Sequence, residues 1–136
     1  MSEVMVHPTA IVDPAALLGS GTVVGPYCIV AAGVSLGENC WLQHHVSLSG
    51  PLSAGQGNKF YAFCSIGQQT QDLKYQGEPT YLEIGDDNCF REFVTIHRGT
   101  HGGGGVTTIG DRNVFMAYVH VAHDCHVGHD TMFGNT

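Results

Sequence analysis

Histidine is abundant in this chain, and near the C-terminal end it recurs at every third residue, at His120, His123, His126 and His129. Asp124 directly follows His123. A carboxylate beside an imidazole fixes its tautomer and stabilises the imidazolium, so the ring becomes a better general base near neutral pH. His123 and Asp124 are therefore the first candidates for proton-transfer chemistry. His126 and His129 are expected to be solvated corner residues without a special role.

The elements that position these side chains follow from a six-residue period in the first half of the chain. A helix would repeat its apolar face at about 3.6 residues and a half-buried strand at 2. A period of six instead fits a short strand and a corner, repeated as in a parallel β-helix. The apolar positions are Val6, Val12, Leu18, Val24, Val30, Leu36, Leu42, Leu48, Ala54, Phe60 and Ile66.

The geometry of one coil follows from a second inward position, four residues after each large apolar one, which is mostly small. One large and one small residue per hexad suit a narrow prism with three flat faces, in which three hexads close a coil. Residues eighteen apart, such as Val6, Val24, Leu42 and Phe60, should then stack at the inter-strand spacing of about 4.8 Å. We therefore predict an all-β fold, a parallel β-helix of hexapeptide repeats.

Two interruptions of the period predict two loops that leave the prism. Between Ile66 and Ile84 the inward positions are occupied by Asp72 and Glu78, which a dry core would reject. We expect residues 67–83 to be looped out, and a second loop at residues 98–108, where the period slips by one. Loops inserted in a strict repeat commonly carry function.

The composition restricts the class of protein. The net charge of −7 argues against a nucleic-acid partner. No apolar run is long enough to span a membrane and the N-terminus lacks an export signal, so a cytoplasmic location is expected. Most cysteines should be reduced core residues. Four of the five occupy the small inward position: Cys28, Cys40, Cys64 and Cys125.

Several segments together resemble one family of enzymes. Residues 71–75 read QDLKY and are followed by GEPT at 77–80, residues 95–100 read TIHRGT, and residues 120–125 read HVAHDC. The N-terminal HPTAIV at 7–12 is similar too. With these motifs the chain resembles the acyl-ACP:UDP-N-acetylglucosamine O-acyltransferases that begin lipid A synthesis. The resemblance covers essentially all of this chain and about the first half of the family's length.

The resemblance implies a left-handed β-helix and transfer of an (R)-3-hydroxyacyl group from acyl carrier protein to the glucosamine 3-hydroxyl of UDP-N-acetylglucosamine. By this resemblance His123 is the general base and Asp124 its orienting partner, and no covalent acyl-enzyme or cofactor is expected. The positions that the resemblance assigns to substrate binding are Gln71, Asp72, Lys74, His97 and His120.

The resemblance also bears on assembly and completeness. It implies a homotrimer with active sites shared between neighbours. Residues 1–136 are expected to form a single β-helix domain, truncated at its C-terminal end. The oxyanion donor, the uridine site, the acyl-length ruler and a helical region would lie in the missing part, so the fragment alone is expected to be nearly inactive.

Three other interpretations remain open. One is a trimeric zinc hydratase related to carbonic anhydrase, for which zinc favours three histidines and an open position. Its ligands would come from His97, His101, His120 and His123, although no two histidines of the chain are five residues apart as such sites usually require. A second is another hexapeptide transferase that uses acetyl-CoA. The third is a binding prism without catalysis.

Overall fold

A computed structural model describes residues 3–135, which form nineteen short strands and one short 3-10 helix at His101–Gly103. The strands are β1 Met5–Val6, β2 Ile11–Val12, β3 Leu17–Leu18, β4 Val23–Val24, β5 Ile29–Val30, β6 Val34–Leu36, β7 Trp41–Leu42, β8 Ser47–Leu48, β9 Leu52–Ala54, β10 Lys59–Phe60, β11 Ser65–Gln68, β12 Tyr81–Ile84, β13 Cys89–Phe90, β14 Thr95–His97, β15 Val106–Ile109, β16 Val114–Phe115, β17 His120–Val121, β18 His126–Val127 and β19 Met132–Phe133.

The strands build three parallel sheets, one for each face of a prism. The first face has the order β1-β4-β7-β10-β13-β16-β19, the second β17-β14-β11-β8-β5-β2, and the third β18-β15-β12-β9-β6-β3. Each strand therefore pairs with the strand three positions later in the chain, as expected when three strands complete one coil. The predicted all-β parallel β-helix is confirmed.

The core is a set of stacked columns, as the hexad period predicts. Val6 pairs with Val24, Val24 with Leu42, and Leu42 with Phe60. The same column continues as a stack of phenylalanine rings with centroids 4.9–5.0 Å apart. From Phe60 onward, identical side chains fill this position of successive coils with the same shape, so this part of the core stays narrow and continuous. The rings belong to Phe60, Phe90, Phe115 and Phe133.

A buried polar ladder runs parallel to this column and fixes the height of successive coils. The Asn88 backbone N–H and amide donate to the side-chain oxygen of Asn58 at 3.0 and 3.1 Å. Asn113 N–H in turn donates to the Asn88 side-chain oxygen at 2.9 Å, and Thr131 N–H to that of Asn113 at 2.8 Å. These amides are almost completely buried, and burial is acceptable because their hydrogen bonds are made.

Both predicted loops leave the prism, but they are shorter than expected. The first excursion comprises residues 69–80, because Gly67 lies in β11 and Tyr81–Glu83 lie in β12, where Leu82 is buried against Leu52. The second excursion comprises residues 98–105, because Val106–Ile109 pairs along its whole length with β12. Residues at equivalent positions of successive coils are 30 positions apart in sequence across the first excursion and 25 across the second. In coils without an excursion they are 18 positions apart.

The cysteines follow the prediction with one exception. Cys28, Cys40 and Cys64 are buried and Cys89 is half-buried, all as free thiols. Cys125 is exposed, so its predicted burial is wrong. It lies in the last corner before β18, where the described residues place no further coil over it.

One corner of the prism carries a column of exposed rings, which we call the aromatic corner. It consists of Tyr27, His45, Phe63, Phe93 and Tyr118, stacked at centroid distances of 5.0–5.2 Å. All five have positive φ, between 50° and 68°.

Within residues 3–135, no helix has the length and apolar character that crossing a membrane would require.

Candidate active site

His123 and Asp124 lie in the corner between β17 and β18. Asp124 adopts φ of 62°, and its backbone N–H donates to Thr107 Oγ1 at 2.9 Å. This left-handed turn brings the two adjacent side chains together, with His123 Nδ1 2.9 Å from Asp124 Oδ2. The His123 side chain is 38% exposed and that of Asp124 only 10%. The imidazole therefore faces solvent while the carboxylate holds it from behind.

The carboxylate of Asp124 receives further hydrogen bonds from the second excursion. The backbone N–H of Thr100 donates to Oδ1 at 2.8 Å and to Oδ2 at 3.0 Å, and the Thr100 hydroxyl donates to Oδ2. Burial raises the pKa of Asp124, but the hydrogen bonds from Thr100 and His123 outweigh it, so the net pKa is below the usual value. Asp124 is therefore a stable anion, and it accepts a hydrogen bond from the protonated Nδ1 of His123.

A cavity of about 310 Å³ opens in front of His123. Because both excursions project from the same side of the prism, their side chains and backbone form its walls. The cavity combines a cation, two carboxylates, hydroxyl groups and an imidazole, which suits a polar ligand. It is lined by Asp72, Lys74, Tyr75, Glu78, Thr100, Gly102, Gly103 and His123.

The first excursion presents Asp72 and Lys74 through a tight turn. Asp72 N–H donates to Thr70 Oγ1 at 3.0 Å, and Asp72 Oδ1 accepts the Lys74 N–H at 2.9 Å. Tyr75 N–H closes the turn on Asp72 O at 3.0 Å. Gln71, the neighbouring predicted residue, is exposed and does not line the cavity.

Arg98 fastens the first excursion to the prism. Its Nη1 donates to the backbone carbonyls of Gly67 at 2.6 Å and Gly50 at 2.9 Å. Its Nη2 lies 3.4 Å from Tyr75 Oη and its Nε 3.5 Å from Thr80 Oγ1. One guanidinium therefore contacts the strand that leads into the loop carrying Asp72 and Lys74, and also the middle and the end of that loop.

His97 and His120 are neighbours on the second face, and neither lines the cavity. Their rings meet edge to face with centroids 4.7 Å apart. Burial, the neighbouring His120 and Arg98, and then His123 lower the pKa of His97, so its ring is neutral near pH 7. His120 is exposed, and its Nδ1 lies 2.7 Å from Thr95 Oγ1. The pair extends the polar surface beside His123.

The structure thus brings three of the predicted residues, Asp72, Lys74 and His123, to one cavity, with Asp124 directly behind. Sequence reasoning assigned no role to Thr100 or Tyr75. Tyr75 lies in the motif at residues 71–75 and Thr100 in the motif at residues 95–100. No spacing rule, however, connects Thr100 with Asp124, 24 residues away. Across residues 3–135, no group of three or more histidine, cysteine or acidic side chains is arranged to hold a metal ion.

Comparisons with known proteins agree with the motifs. No protein-family profile matches the chain. Over 130 residues, 96% of its length, the chain is 51% identical to an acyl-(acyl-carrier-protein)–UDP-N-acetylglucosamine O-acyltransferase of Saccharophagus degradans, and it covers 50% of that relative. The chain therefore spans about half the length of the curated relative that it matches.

Solved structures give the same result. LpxA from Acinetobacter baumannii matches with a TM-score of 0.95 and 44% identity, over 96% of this chain and 51% of that one. The UDP-N-acetylglucosamine O-acyltransferase of Moraxella catarrhalis matches with a TM-score of 0.87 and 48% identity, over 90% and 48% of the two chains. The matches confirm the resemblance read from the motifs, and with it the left-handed β-helix fold.

Proposed function

We propose that this chain forms part of an acyltransferase that transfers an (R)-3-hydroxyacyl group from acyl carrier protein to the glucosamine 3-hydroxyl of UDP-N-acetylglucosamine, the first step of lipid A biosynthesis. The observation that carries the proposal is His123, backed by an ionised Asp124 and facing Asp72 and Lys74 across one cavity. It occurs in a chain that is 51% identical to an enzyme with this name.

In the proposed mechanism His123 is the general base. With Nδ1 protonated toward Asp124, the Nε2 lone pair is free to take the proton from the sugar 3-hydroxyl as that oxygen attacks the thioester carbonyl. The tetrahedral intermediate then collapses, the carbon–sulfur bond breaks, and the carrier thiolate takes up a proton. A positioned base of this kind contributes roughly 10²–10⁴ in rate.

The remaining predicted residues serve the substrate in this proposal. Asp72 accepts hydrogen bonds from sugar hydroxyls, and Lys74 supplies a cation for phosphate or acyl oxygens. Gln71 is exposed beside them and would reach substrate from the rim. His97, whose ring is neutral, and His120 extend the site along the second face.

The assembly is also part of the proposal. The chain covers only half of its relatives, and we propose that the complete enzyme is a cytoplasmic homotrimer to which this chain contributes its β-helix domain and its base. The aromatic corner supports side-by-side packing, because Phe63, Phe93 and Tyr118 are 47%, 44% and 63% exposed. Sedimentation of the complete protein should give three times the mass of one chain, and a monomer at assay concentration would contradict this.

The test of function is acyl transfer from 3-hydroxyacyl carrier protein to labelled UDP-N-acetylglucosamine by the complete protein. We expect turnover by the parent and a loss of roughly 10²–10⁴ in His123→Ala. His126→Ala is the matched control, because this histidine is exposed, contacts the Thr108 hydroxyl through Nδ1 and lies outside the cavity. Full activity of His123→Ala would refute its role, and absence of turnover with every carrier-protein donor would refute the reaction.

The isolated 136-residue chain provides a second measurement. In the resembling family the oxyanion donor lies outside the region that this chain matches, and loss of such a donor costs about 10²–10³ in rate. We therefore expect this chain alone to be nearly inactive in the same assay. Turnover close to that of the complete protein would contradict this part of the proposal.

A further inference from the structure

The second excursion forms hydrogen bonds to the catalytic corner through Thr100. Its backbone N–H and its hydroxyl both donate to the Asp124 carboxylate. Thr100 is 8% exposed, so water competes little for these hydrogen bonds. The same carboxylate oxygen, Oδ2, accepts from the Thr100 hydroxyl and from His123 Nδ1. Thr100, Asp124 and His123 therefore form one hydrogen-bonded chain that ends in the cavity.

The direction of the Thr100 hydroxyl is fixed from the other side. Gly103 N–H donates to Thr100 Oγ1 at 3.2 Å, so the oxygen acts as acceptor there and its own proton is directed at Asp124. Thr100 also caps the short 3-10 helix, and its carbonyl accepts the Gly105 N–H at 2.7 Å. The excursion is thus folded around Thr100 and delivers its two donors in a defined orientation.

Two glycines allow the backbone of the excursion to approach the carboxylate. A Cβ placed on Gly99 or on Gly103 would overlap the Asp124 carboxylate oxygens. At Gly103 the backbone has an ordinary φ, so glycine is required there by space and not by conformation. The close approach is a second feature, independent of the hydrogen bonds, that directs the excursion at Asp124.

We infer that Thr100 is a positioning residue, which through Asp124 holds His123 in the tautomer with Nδ1 protonated and Nε2 free toward the cavity. The inference rests on the proposed function, because it states how the proposed general base is oriented. A carboxylate anchored by two donors cannot swing away from the imidazole, and its fixed negative charge favours the proton on Nδ1. Without the Thr100 hydroxyl, Asp124 would keep its contacts with His123 and with the backbone N–H of residue 100 but lose one of its two anchoring donors.

The test compares Thr100→Val, Thr100→Ser and the parent, all as complete protein labelled with 15N-histidine. NMR of the ring nitrogens reports which one carries the proton, and His123→Gln identifies the His123 signals. We expect the parent to be protonated at Nδ1, Thr100→Val to show a mixture of tautomers, and Thr100→Ser to restore the parent spectrum. Thr22→Val is the matched control, a buried threonine whose hydroxyl bonds only Gly37 and Cys40 in the N-terminal coils.

Kinetics give the second readout. A hydrogen bond to a charged group corresponds to about a 10–100-fold effect, so we expect kcat of Thr100→Val to fall by that factor with little change in KM. The pH profile of kcat should change as well. The other titratable groups facing His123 are Asp72, Lys74, Tyr75 and Glu78 across the cavity and His97 on the neighbouring strand, and all are unchanged in the variant.

A steric variant keeps the test decisive if Thr100→Val fails to fold. Gly103→Ala keeps the threonine hydroxyl in the sequence, but its Cβ would overlap the Asp124 carboxylate and crowd Thr100 Oγ1, so it should produce the same mixed tautomers and reduced kcat. Gly128→Ala is its control, since a Cβ there meets no atom within 4 Å. Parent-like tautomer and kcat in both Thr100→Val and Gly103→Ala would overturn the inference, as would a change in KM alone. If the parent transfers no acyl group, the proposed function fails, while the tautomer comparison still decides the role of Thr100.

Discussion

Replacement of Arg98 should detach the first excursion from the prism without unfolding the prism itself. Arg98 makes two short hydrogen bonds, to Gly67 O at 2.6 Å and Gly50 O at 2.9 Å, and two long contacts, to Tyr75 and Thr80. The long contacts are near the limit of hydrogen-bond geometry, so they are left out of the energy estimate, but they are the ones that reach residues 69–80. Each hydrogen bond from a charged donor contributes about 1.5–3 kcal/mol.

Arg98 is only half-buried, so the lower end of this range applies to both short bonds. We expect Arg98→Ala to lower the free energy of unfolding by about 3 kcal/mol. Arg98→Lys should recover part of this loss, because an ammonium group is a compact donor that cannot reproduce the planar spread of a guanidinium. In both variants the excursion at residues 69–80 should open more readily than the strands.

The assay combines urea denaturation with hydrogen exchange resolved along the chain. Exchange should accelerate at residues 69–80 in Arg98→Ala, while protection of β13 and β16 is retained. The control is Arg112→Ala, because Arg112 pairs with Asp130 at 2.8 Å on the surface, where both side chains are more than half exposed. Such a pair contributes little to stability. Unchanged exchange at residues 69–80 in Arg98→Ala, or an equal effect of Arg112→Ala, would refute the reasoning.

Three further predictions concern the core, the anion and the thiols. Phe90→Ala should lower the free energy of unfolding, measured by urea denaturation, by about 3–5 kcal/mol, because it removes a fully buried ring from the phenylalanine stack. Phe93→Ala, on the exposed aromatic corner, should lower it much less. Asp124 has a lowered pKa in the folded state, so the stability that its anion contributes is present above the ordinary aspartate pKa of about 3.9 and is lost as pH falls through the folded pKa. The difference in unfolding free energy between the parent and Asp124→Asn should therefore shrink below about pH 4. A difference that does not depend on pH would contradict this. Burial raises the pKa of the Cys64 thiol to about 12. Mass spectrometry should therefore find Cys64 unlabelled by iodoacetamide in the native protein and labelled after unfolding. Rapid labelling of the native protein would refute its burial.

The strict hexad period made the fold predictable to a large extent. Because every coil repeats one large inward residue, positions as distant as Val6 and Phe60 could be assigned to one column from the sequence. The loop boundaries were less predictable. Leu82 is two residues before Ile84 in β12 and buried with it, and this period of two is hidden when only every sixth residue is compared.

The site was predictable only where residues could be recognised by motif. His123 and Asp124 are adjacent in sequence, and a corner brings adjacent side chains together, so their contact could be expected from the chain itself. The contact of Thr100 with Asp124 depends on how an eight-residue excursion folds back across a coil, which no local pattern specifies. Gln71 shows the opposite limit, because a residue can share a motif with Asp72 and still not line the cavity.

The polar ladder has a consequence for how such a protein can change over evolutionary time. Asn58, Asn88 and Asn113 keep consecutive coils in step although 30 and 25 residues separate them. The ends of each excursion are tied to the prism by backbone bonds, such as Arg98 N–H to Gln68 O and Tyr81 N–H to Gly105 O. Insertions or deletions within the excursions would therefore leave the prism in register. New substrate preferences could therefore arise through loop length alone, with the register of the coils unchanged.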